Sequence, residues 1–192
     1  MPSPSILAFA GSTRSASWNK KLIAVGAESA RSAGAQVTLI DLRDLPMPLY
    51  DGHMEAAEGL PANARELKRL MVAHDGFLLS CPEYNSSISG VLKNVIDWVS
   101  RPQRDEPPAP AFRGKVAALL AASPGNLGGI RALFTVRQVL TVLGTIVLPT
   151  QFGLARANEA FGADGTLKDP AHQKAVDNVT AELVSVLSRL RG

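Results

Sequence analysis

The sequence is poor in cysteine and aromatic residues, and it contains no long apolar run. Its 192 residues include a single cysteine, Cys81, and aromatic residues make up 5% of the chain. One cysteine cannot form an internal disulfide, which is typical of a reducing compartment. No stretch approaches the ~18 consecutive apolar residues of a membrane span, and the N-terminus, Met-Pro-Ser-Pro-Ser, is unlike a signal peptide. We therefore expect a cytoplasmic protein without a membrane partner.

Several sequence motifs of common enzyme and binding classes are also absent. The chain has no GxxxxGK[ST] phosphate loop, no GxGxxG dinucleotide fingerprint and no GxSxG hydrolase elbow. Its three histidines are scattered without metal-ligand spacing. The net charge is +3, from 20 basic and 17 acidic residues, and the bases form no dense run. Nucleic-acid binding is therefore disfavoured, and a mononucleotide is favoured over a dinucleotide as resident cofactor.

What the sequence does contain is a regular alternation of short apolar runs and amphipathic segments. The apolar runs predict strands over residues 5–10, 36–41, 76–81, 115–122 and 145–148. The amphipathic segments predict helices over residues 18–33, 62–73, 89–100, 130–143 and 170–190. Strands of this kind between amphipathic helices indicate a parallel sheet that is covered on both faces. We predict one α/β domain over residues 1–192, a flavodoxin-like doubly wound sheet of order 2-1-3-4-5.

In such a sheet, ligands bind beyond the carboxyl ends of the strands, where strands one and three diverge. The first loop at this point, residues 11–19, reads GSTRSASWN and leads into a helix. A helix N-terminus favours an anion, and the serines, Arg14 and Asn19 add donors that suit a phosphate monoester. The alternative is an ordinary polar turn in which Ser17 caps the helix, and the loop alone leaves both interpretations open.

The second loop at this point, residues 82–90, reads PEYNSSISG. Tyr84 and several backbone N–H groups would suit a planar heterocycle with acceptor atoms along one edge, such as a flavin ring. The alternative is a proline-initiated turn in which Ser87 or Ser89 caps the next helix. The two loops carry more weight together, because one offers a phosphate site and the other a flat polar edge.

These loops carry the residues by which the sequence resembles the NADPH-dependent FMN reductase family. The first signature is matched by Gly11, Ser12, Arg14, Ser17 and Asn19. The second is matched by Pro82–Asn85 and by Gly90, Leu92, Lys93, Asn94, Ile96, Asp97 and Trp98. A third element matches Ser123–Gly129, and the similarity extends to residues 49–51 and 161–165. The main departure is a long, proline-rich segment at residues 102–113, which leaves open whether it gates the site.

The resemblance implies a role for each matched residue. Ser12, Arg14, Ser17 and Asn19 would bind the FMN phosphate. Pro82, Glu83, Tyr84 and Asn85 would contact the isoalloxazine, largely through backbone atoms, and Ser123 and Gly125 would flank the ring or the ribityl chain. The family also implies a homodimer or homotetramer, with the helix from Gly90 to Ser100 at the subunit interface.

The function implied is FMN-dependent oxidation of NADPH or NADH with reduction of a small acceptor, such as a quinone, free flavin, chromate, an azo dye or a ferric compound. No side chain need act as a nucleophile, because the flavin carries the redox chemistry. Hydride transfer to flavin N5, followed by exchange of nicotinamide for acceptor, predicts ping-pong kinetics. Arg14, Lys93, Arg101 and Arg131 are candidates for attracting the nicotinamide nucleotide. The alternatives are a flavodoxin-type electron carrier, which the net charge of +3 disfavours, and a non-catalytic flavin-binding sensor.

Overall fold

The computed structural model describes residues 3–103 and 105–190, within which strands and helices alternate. In chain order the elements are β1 (Ser5–Ala10), α1 (Trp18–Ser32), β2 (Gln36–Ile40), α2 (Gly52–Glu58), α3 (Ala62–Ala73), β3 (Gly76–Ser80), β4 (Glu83–Tyr84), β5 (Ser87–Ile88), α4 (Gly90–Val99), β6 (Val116–Ala122), α5 (Ile130–Val142), β7 (Ile146–Leu154), α6 (Ala157–Ala160) and α7 (Pro170–Leu190). None of the helices within these ranges is both long and apolar enough to cross a bilayer.

Five of the strands form one parallel sheet in the order β2-β1-β3-β6-β7. Numbered among themselves, these strands have the order 2-1-3-4-5, so the predicted flavodoxin-like topology is confirmed. The sheet order reverses between β1 and β3, and the crevice for a ligand in such a sheet lies beyond their carboxyl ends.

The two faces of the sheet are covered by different helices. Successive strand residues point to opposite faces: Ile6, Ala8 and Ala10 pack with α1 and α7, whereas Leu7 and Phe9 pack on the other face with α3, α4 and α5. The central strands β3 and β6 are buried along their whole length. This burial on both faces explains why their sequences are continuous apolar runs rather than alternating ones.

Two stretches differ from the sequence-based prediction. The last strand of the sheet runs from Ile146 to Leu154 rather than over 145–148. Its register shifts against β6 between Ala117 and Leu119, and this irregular edge strand accommodates Pro149. In addition, α2 forms within the segment that its prolines and glycines marked as a loop, because the Asp51 carboxylate accepts hydrogen bonds from the N–H groups of His53 and Met54.

The proline-rich segment lies at the amino edge of the sheet. Thr145 Oγ1 donates to the carbonyl of Phe112 at 3.0 Å, and Gly114 N–H donates to the carbonyl of Gly144 at 2.9 Å. Gly144 and Thr145 directly precede β7, so these bonds hold the segment near the amino ends of the strands. The end of this segment, at Phe112, is therefore at the opposite end of the strands from the predicted cofactor loops.

Candidate functional site

The structure brings the first two predicted loops together at the carboxyl ends of β1 and β3. Gly11 N–H donates to the carbonyl of Ser80 at 2.9 Å. The Ser89 hydroxyl donates to the carbonyl of Gly11 at 2.6 Å and accepts from Leu92 N–H, so it also caps α4. Gly11 itself lies against α4, where a Cβ would be 2.9 Å from Leu92 Cβ. The β1–α1 loop and the segment after β3 thus form one continuous surface.

The β1–α1 loop presents backbone N–H groups that the chain does not use. Within the described residues, the N–H groups of Thr13, Ser15 and Ala16 form no hydrogen bond. They lie just ahead of α1, whose first turn adds the unpaired amides and the positive end of the helix dipole. A run of free donors at a helix N-terminus is the arrangement that proteins use for phosphate groups, so the loop fits the phosphate of FMN.

The side chains of this loop add to the same donor set. Ser17 is the N-cap residue of α1 and is 5% exposed, yet its hydroxyl makes no cap hydrogen bond. The Ser12 hydroxyl accepts from Arg14 N–H at 3.3 Å, and Ser12 is also buried. Arg14 is exposed, with its guanidinium 5.9 Å from the centre of the Trp18 ring. The hydrogen bond that a purely capping role of Ser17 requires is therefore not formed.

Asn19 points inward rather than toward the open side of the loop. Its carboxamide donates to the carbonyl of Ala122 at 2.8 Å and accepts from Ala122 N–H at 3.0 Å. The Ser80 hydroxyl donates to the same carboxamide oxygen at 2.9 Å. This inward contact with the ends of β3 and β6 was not predicted from the sequence, and no local pattern could have shown it because the partners are 61 and 103 residues away.

The segment after β3 is a short hairpin rather than an irregular loop. Strands β4 and β5 pair antiparallel around Asn85 and Ser86, whose φ angles are 51° and 65°. Two successive left-handed residues are typical of a tight hairpin turn. Pro82 is buried at its base, and Tyr84 and Asn85 are exposed. The hairpin therefore presents an aromatic ring and main-chain groups beside the β1–α1 loop.

Glu83 anchors this hairpin to α5. Its carboxylate accepts from Arg131 Nε at 2.7 Å and from Arg131 N–H at 3.2 Å. The N-cap of α5 is Gly129, which has no side chain to cap the helix, so Glu83 supplies a capping carboxylate from elsewhere in the chain. Its side chain is therefore engaged with Arg131, and only its backbone is left for a ring contact of the kind the sequence implied.

We expect Glu83→Gln to lower the free energy of unfolding by about 1 kcal/mol. The effect is modest because the Arg131 side chain is 50% exposed, so that water screens its attraction to Glu83. Urea titration of the apoprotein measures this change. The control is Glu28→Gln, which removes an exposed pair with Arg31 and should cost less than about 0.5 kcal/mol. Equal effects of the two variants would contradict the capping role.

The third loop, residues 123–129, closes the site on the β6 side. Ser123 N–H donates to the carbonyl of Leu154 at 3.0 Å, and the Ser123 hydroxyl accepts from Gly125 N–H at 3.2 Å. The φ angles of Gly128 and Gly129 are 60° and 85°, which only glycine adopts readily. These bonds and turns place Ser123 and Gly125 at the same sheet edge as the first two loops.

The four bases considered for nicotinamide attraction differ in their partners. Lys93 pairs with Asp97 on α4, Arg101 pairs with Glu55, and Arg131 pairs with Glu83. Within the described chain, Arg14 has no acidic partner. Its positive charge is therefore the least compensated of the four, and it belongs to the loop with the free N–H groups.

Two residues of the long second signature are structural. Asn94 Nδ2 and Trp98 Nε1 each donate to the carbonyl of Pro48 at 2.8 Å, and Asn94 Oδ1 accepts from Tyr50 N–H. Trp98 is fully buried and meets the Tyr50 ring edge-to-face at 5.0 Å. Trp98 therefore fixes the segment around residues 46–51 beside α4.

Cys81 lies next to the site but is fully buried, and burial raises the pKa of its thiol to about 12. Only the thiolate reacts with alkylating reagents. We expect iodoacetamide at pH 8 to leave the folded protein unmodified and to label Cys81 in denaturant, as intact mass measures. Labelling of the native protein at the rate of a free thiol would contradict this burial.

The fold and the loops at this sheet edge define a class of protein: a flavodoxin-like α/β protein with a donor-rich β1–α1 loop and the β4–β5 hairpin beside it. The sequence matches the model of the family described as NADPH-dependent FMN reductase over residues 4–159. The chain therefore belongs to the NADPH-dependent FMN reductase family. It is an oxidoreductase with FMN as cofactor and NADPH or NADH as electron donor.

Curated relatives and solved structures agree with this assignment. The chain is 35% identical over 190 residues to an NAD(P)H-dependent FMN reductase of Pseudomonas aeruginosa, and the alignment covers 97% of each of the two chains. It is 31% identical over 182 residues to a quinone reductase of Escherichia coli, covering 94% of this chain and 92% of the relative. Its structure is similar to that of the flavoenzyme NAD(P)H:acceptor oxidoreductase FerB from Paracoccus denitrificans, with a TM-score of 0.82, 27% identity, and coverage of 97% and 98%.

Proposed function

We propose that this protein oxidises NADPH or NADH through bound FMN and reduces small acceptors, with quinones and free flavin as the first candidates and chromate, azo dyes and ferric compounds as further ones. The observation that carries the proposal is a set of donors at the start of α1 that have no partner among the described residues: the N–H groups of Thr13, Ser15 and Ala16, and Arg14, which has no acidic partner there. The Ser17 hydroxyl, which makes no cap hydrogen bond, adds to this set. The relatives named as FMN and quinone reductases support the same chemistry.

In this proposal the residues bind and orient while the cofactor supplies the redox chemistry. Bound FMN would supply the redox chemistry, accepting two electrons as a hydride from the nicotinamide in one half-reaction and giving two electrons to the acceptor in the next, and this order predicts ping-pong kinetics. Ser12, Arg14 and Ser17 hold the phosphate, and Asn19 contributes from the first turn of α1. Pro82, Glu83, Tyr84 and Asn85 contact the ring, mainly through the hairpin backbone, and Ser123 and Gly125 border it on the β6 side.

The exposed Tyr84 favours acceptors that are flat and partly apolar. Its side chain is 48% exposed at the hairpin, and an aromatic ring there offers stacking area to a planar ligand. Within the part of the chain that the structure describes, Arg131 at the border of this surface is paired with Glu83 and offers no free charge to an acceptor. We therefore expect a broad acceptor range.

We also propose that the protein works in the cytoplasm as a homodimer or homotetramer. The inert, buried Cys81 suits a reducing compartment. The assembly is the one that the resemblance to the family implies, and large exposed apolar side chains such as Leu49 (81%), Phe134 (60%) and Val142 (81%) are available for a subunit contact. Light scattering on purified protein tests the assembly, and a strict monomer would contradict it.

The enzyme and its two alternatives are separated by steady-state turnover of FMN-loaded protein. Each acceptor class is tested with NADPH and with NADH, and initial rates are measured while both substrates are varied. Parallel double-reciprocal lines with at least one acceptor support the proposal. FMN binding without turnover on any acceptor would favour the electron carrier or the sensor, and intersecting lines would contradict the ping-pong scheme.

A further inference from the structure

We propose that Asn19 serves the cofactor site as a positioning residue, through the hydrogen bonds of its carboxamide to Ser80 and Ala122. The inference rests on the proposed function, because it concerns how the FMN site is held in shape. It assigns a role to Ser80, which lies outside the family signatures.

The orientation of the carboxamide is fixed by its partners. Ala122 N–H can only donate and the Ala122 carbonyl can only accept, so the Asn19 oxygen must face the first and the Asn19 nitrogen the second. The Ser80 hydroxyl fills the remaining acceptor position of the oxygen. Both lone-pair sites of the oxygen and one of the two N–H bonds are thus used inside the protein, so the carboxamide is held in one orientation with a single N–H bond left over.

The contact lies where the first site loop ends and the other two begin. Asn19 is in the first turn of α1, directly after the β1–α1 loop. Ser80 ends β3, just before the hairpin with Tyr84, and Ala122 ends β6, just before Ser123. One carboxamide therefore sets the distance of the phosphate-binding loop from both segments that face the ring. We call Asn19, Ser80 and Ala122 the carboxamide clamp.

Burial makes the clamp rigid and sensitive to substitution. Asn19 and Ala122 are each 4% exposed and Ser80 is fully buried. Hydrogen bonds that are shielded from water resist competition, and losing one partner leaves the other polar group unsatisfied. Ser80 has no exposed surface with which to touch a cofactor, so any effect of Ser80 on FMN affinity must pass through Asn19 or through the strand ends.

The test compares Asn19→Ala, Ser80→Ala and the double variant. For each apoprotein, urea titration gives stability and quenching of flavin fluorescence gives FMN affinity. We expect Asn19→Ala to weaken FMN binding about tenfold or more and Ser80→Ala about two- to fivefold. The double variant should be no weaker than Asn19→Ala alone, because both changes break the same contact. Ser80→Ala removes a single hydrogen bond and remains informative if Asn19→Ala does not fold.

The control is Ser29→Ala, which removes hydrogen bonds to Asp177 and Thr180 at the far side of α1. It should lower stability while leaving FMN affinity unchanged. Three outcomes would overturn the clamp: a loss of FMN affinity in Asn19→Ala with unchanged apoprotein stability and a silent Ser80→Ala, a loss of stability in both variants with unchanged FMN affinity, or purely additive losses of affinity. If the unmodified protein binds no FMN, the proposed function fails and the clamp proposal falls with it.

Discussion

Gly128→Ala is expected to lower the free energy of unfolding by about 3 kcal/mol. Gly128 has a φ of +60°, and a Cβ there would lie 2.5 Å from the carbonyl oxygen of Gly153 and 2.9 Å from Ala155 N. An L-residue pays about 1–2 kcal/mol for the left-handed backbone, and overlap with main-chain atoms adds about 1–3 kcal/mol because β7 must move. Urea unfolding of the apoprotein measures the loss.

Substitutions at two other glycines separate the cost of the left-handed backbone from the cost of steric overlap. Gly165→Ala places a side chain at φ +84° with nothing within 4 Å, and we expect it to cost only about 1 kcal/mol. Gly125 has no positive φ, and a Cβ would approach no closer than 3.6 Å, to Ser123 Oγ. Gly125→Ala should therefore leave stability within about 0.5 kcal/mol. If Gly128→Ala cost no more than Gly165→Ala, the close approach of this loop to β7 would be wrong.

Arg14→Ala is expected to raise the dissociation constant of FMN by about 10- to 100-fold, the value of one or two charge-assisted hydrogen bonds. Riboflavin has the same ring without the phosphate, so its affinity should change less than about twofold. The effect on FMN should shrink as salt is added, because Arg14 is exposed. Fluorescence titration of the apoprotein with both flavins at two salt concentrations measures these changes.

The matched control for Arg14 is Arg69→Ala, which removes the same charge from α3, where Arg69 pairs with Glu66. It should alter neither flavin affinity. Arg14→Lys keeps the charge but loses the planar fork, and it should fall between the wild type and Arg14→Ala. Equal weakening of riboflavin and FMN by Arg14→Ala would show that Arg14 acts on the ring or on the fold and not on the phosphate.

The sheet was predictable because the residue pattern within each strand and helix is enough to identify that element. Buried strands such as β3 and β6 are continuous apolar runs, and α1 presents Leu22, Ile23 and Ala27 at helical spacing. The last strand was predicted too short, because Pro149 interrupts its pattern. Arg137 donates to the carbonyls of Val147 and Leu148, just before Pro149, and no pattern within the strand reveals that support.

The loops of the site were predictable from topology, but the directions of their side chains were not. The rule for parallel sheets selects the segments after β1 and β3, and the structure joins them through Gly11, Ser80 and Ser89. Whether a polar side chain faces outward depends on distant partners. Glu83 turns to Arg131, 48 residues away, and Asn19 turns to Ala122.

The central claim is that the phosphate of FMN sits on the β1–α1 loop at the start of α1, and a crystal structure of the FMN-loaded protein tests it most directly. The account predicts phosphate oxygens within hydrogen-bonding distance of the N–H groups of Thr13, Ser15 and Ala16 and of the Arg14 guanidinium. It also predicts that the Asn19 carboxamide remains on Ala122. A phosphate bound elsewhere on the protein, or a β1–α1 loop whose N–H groups turn away from it, would contradict the account.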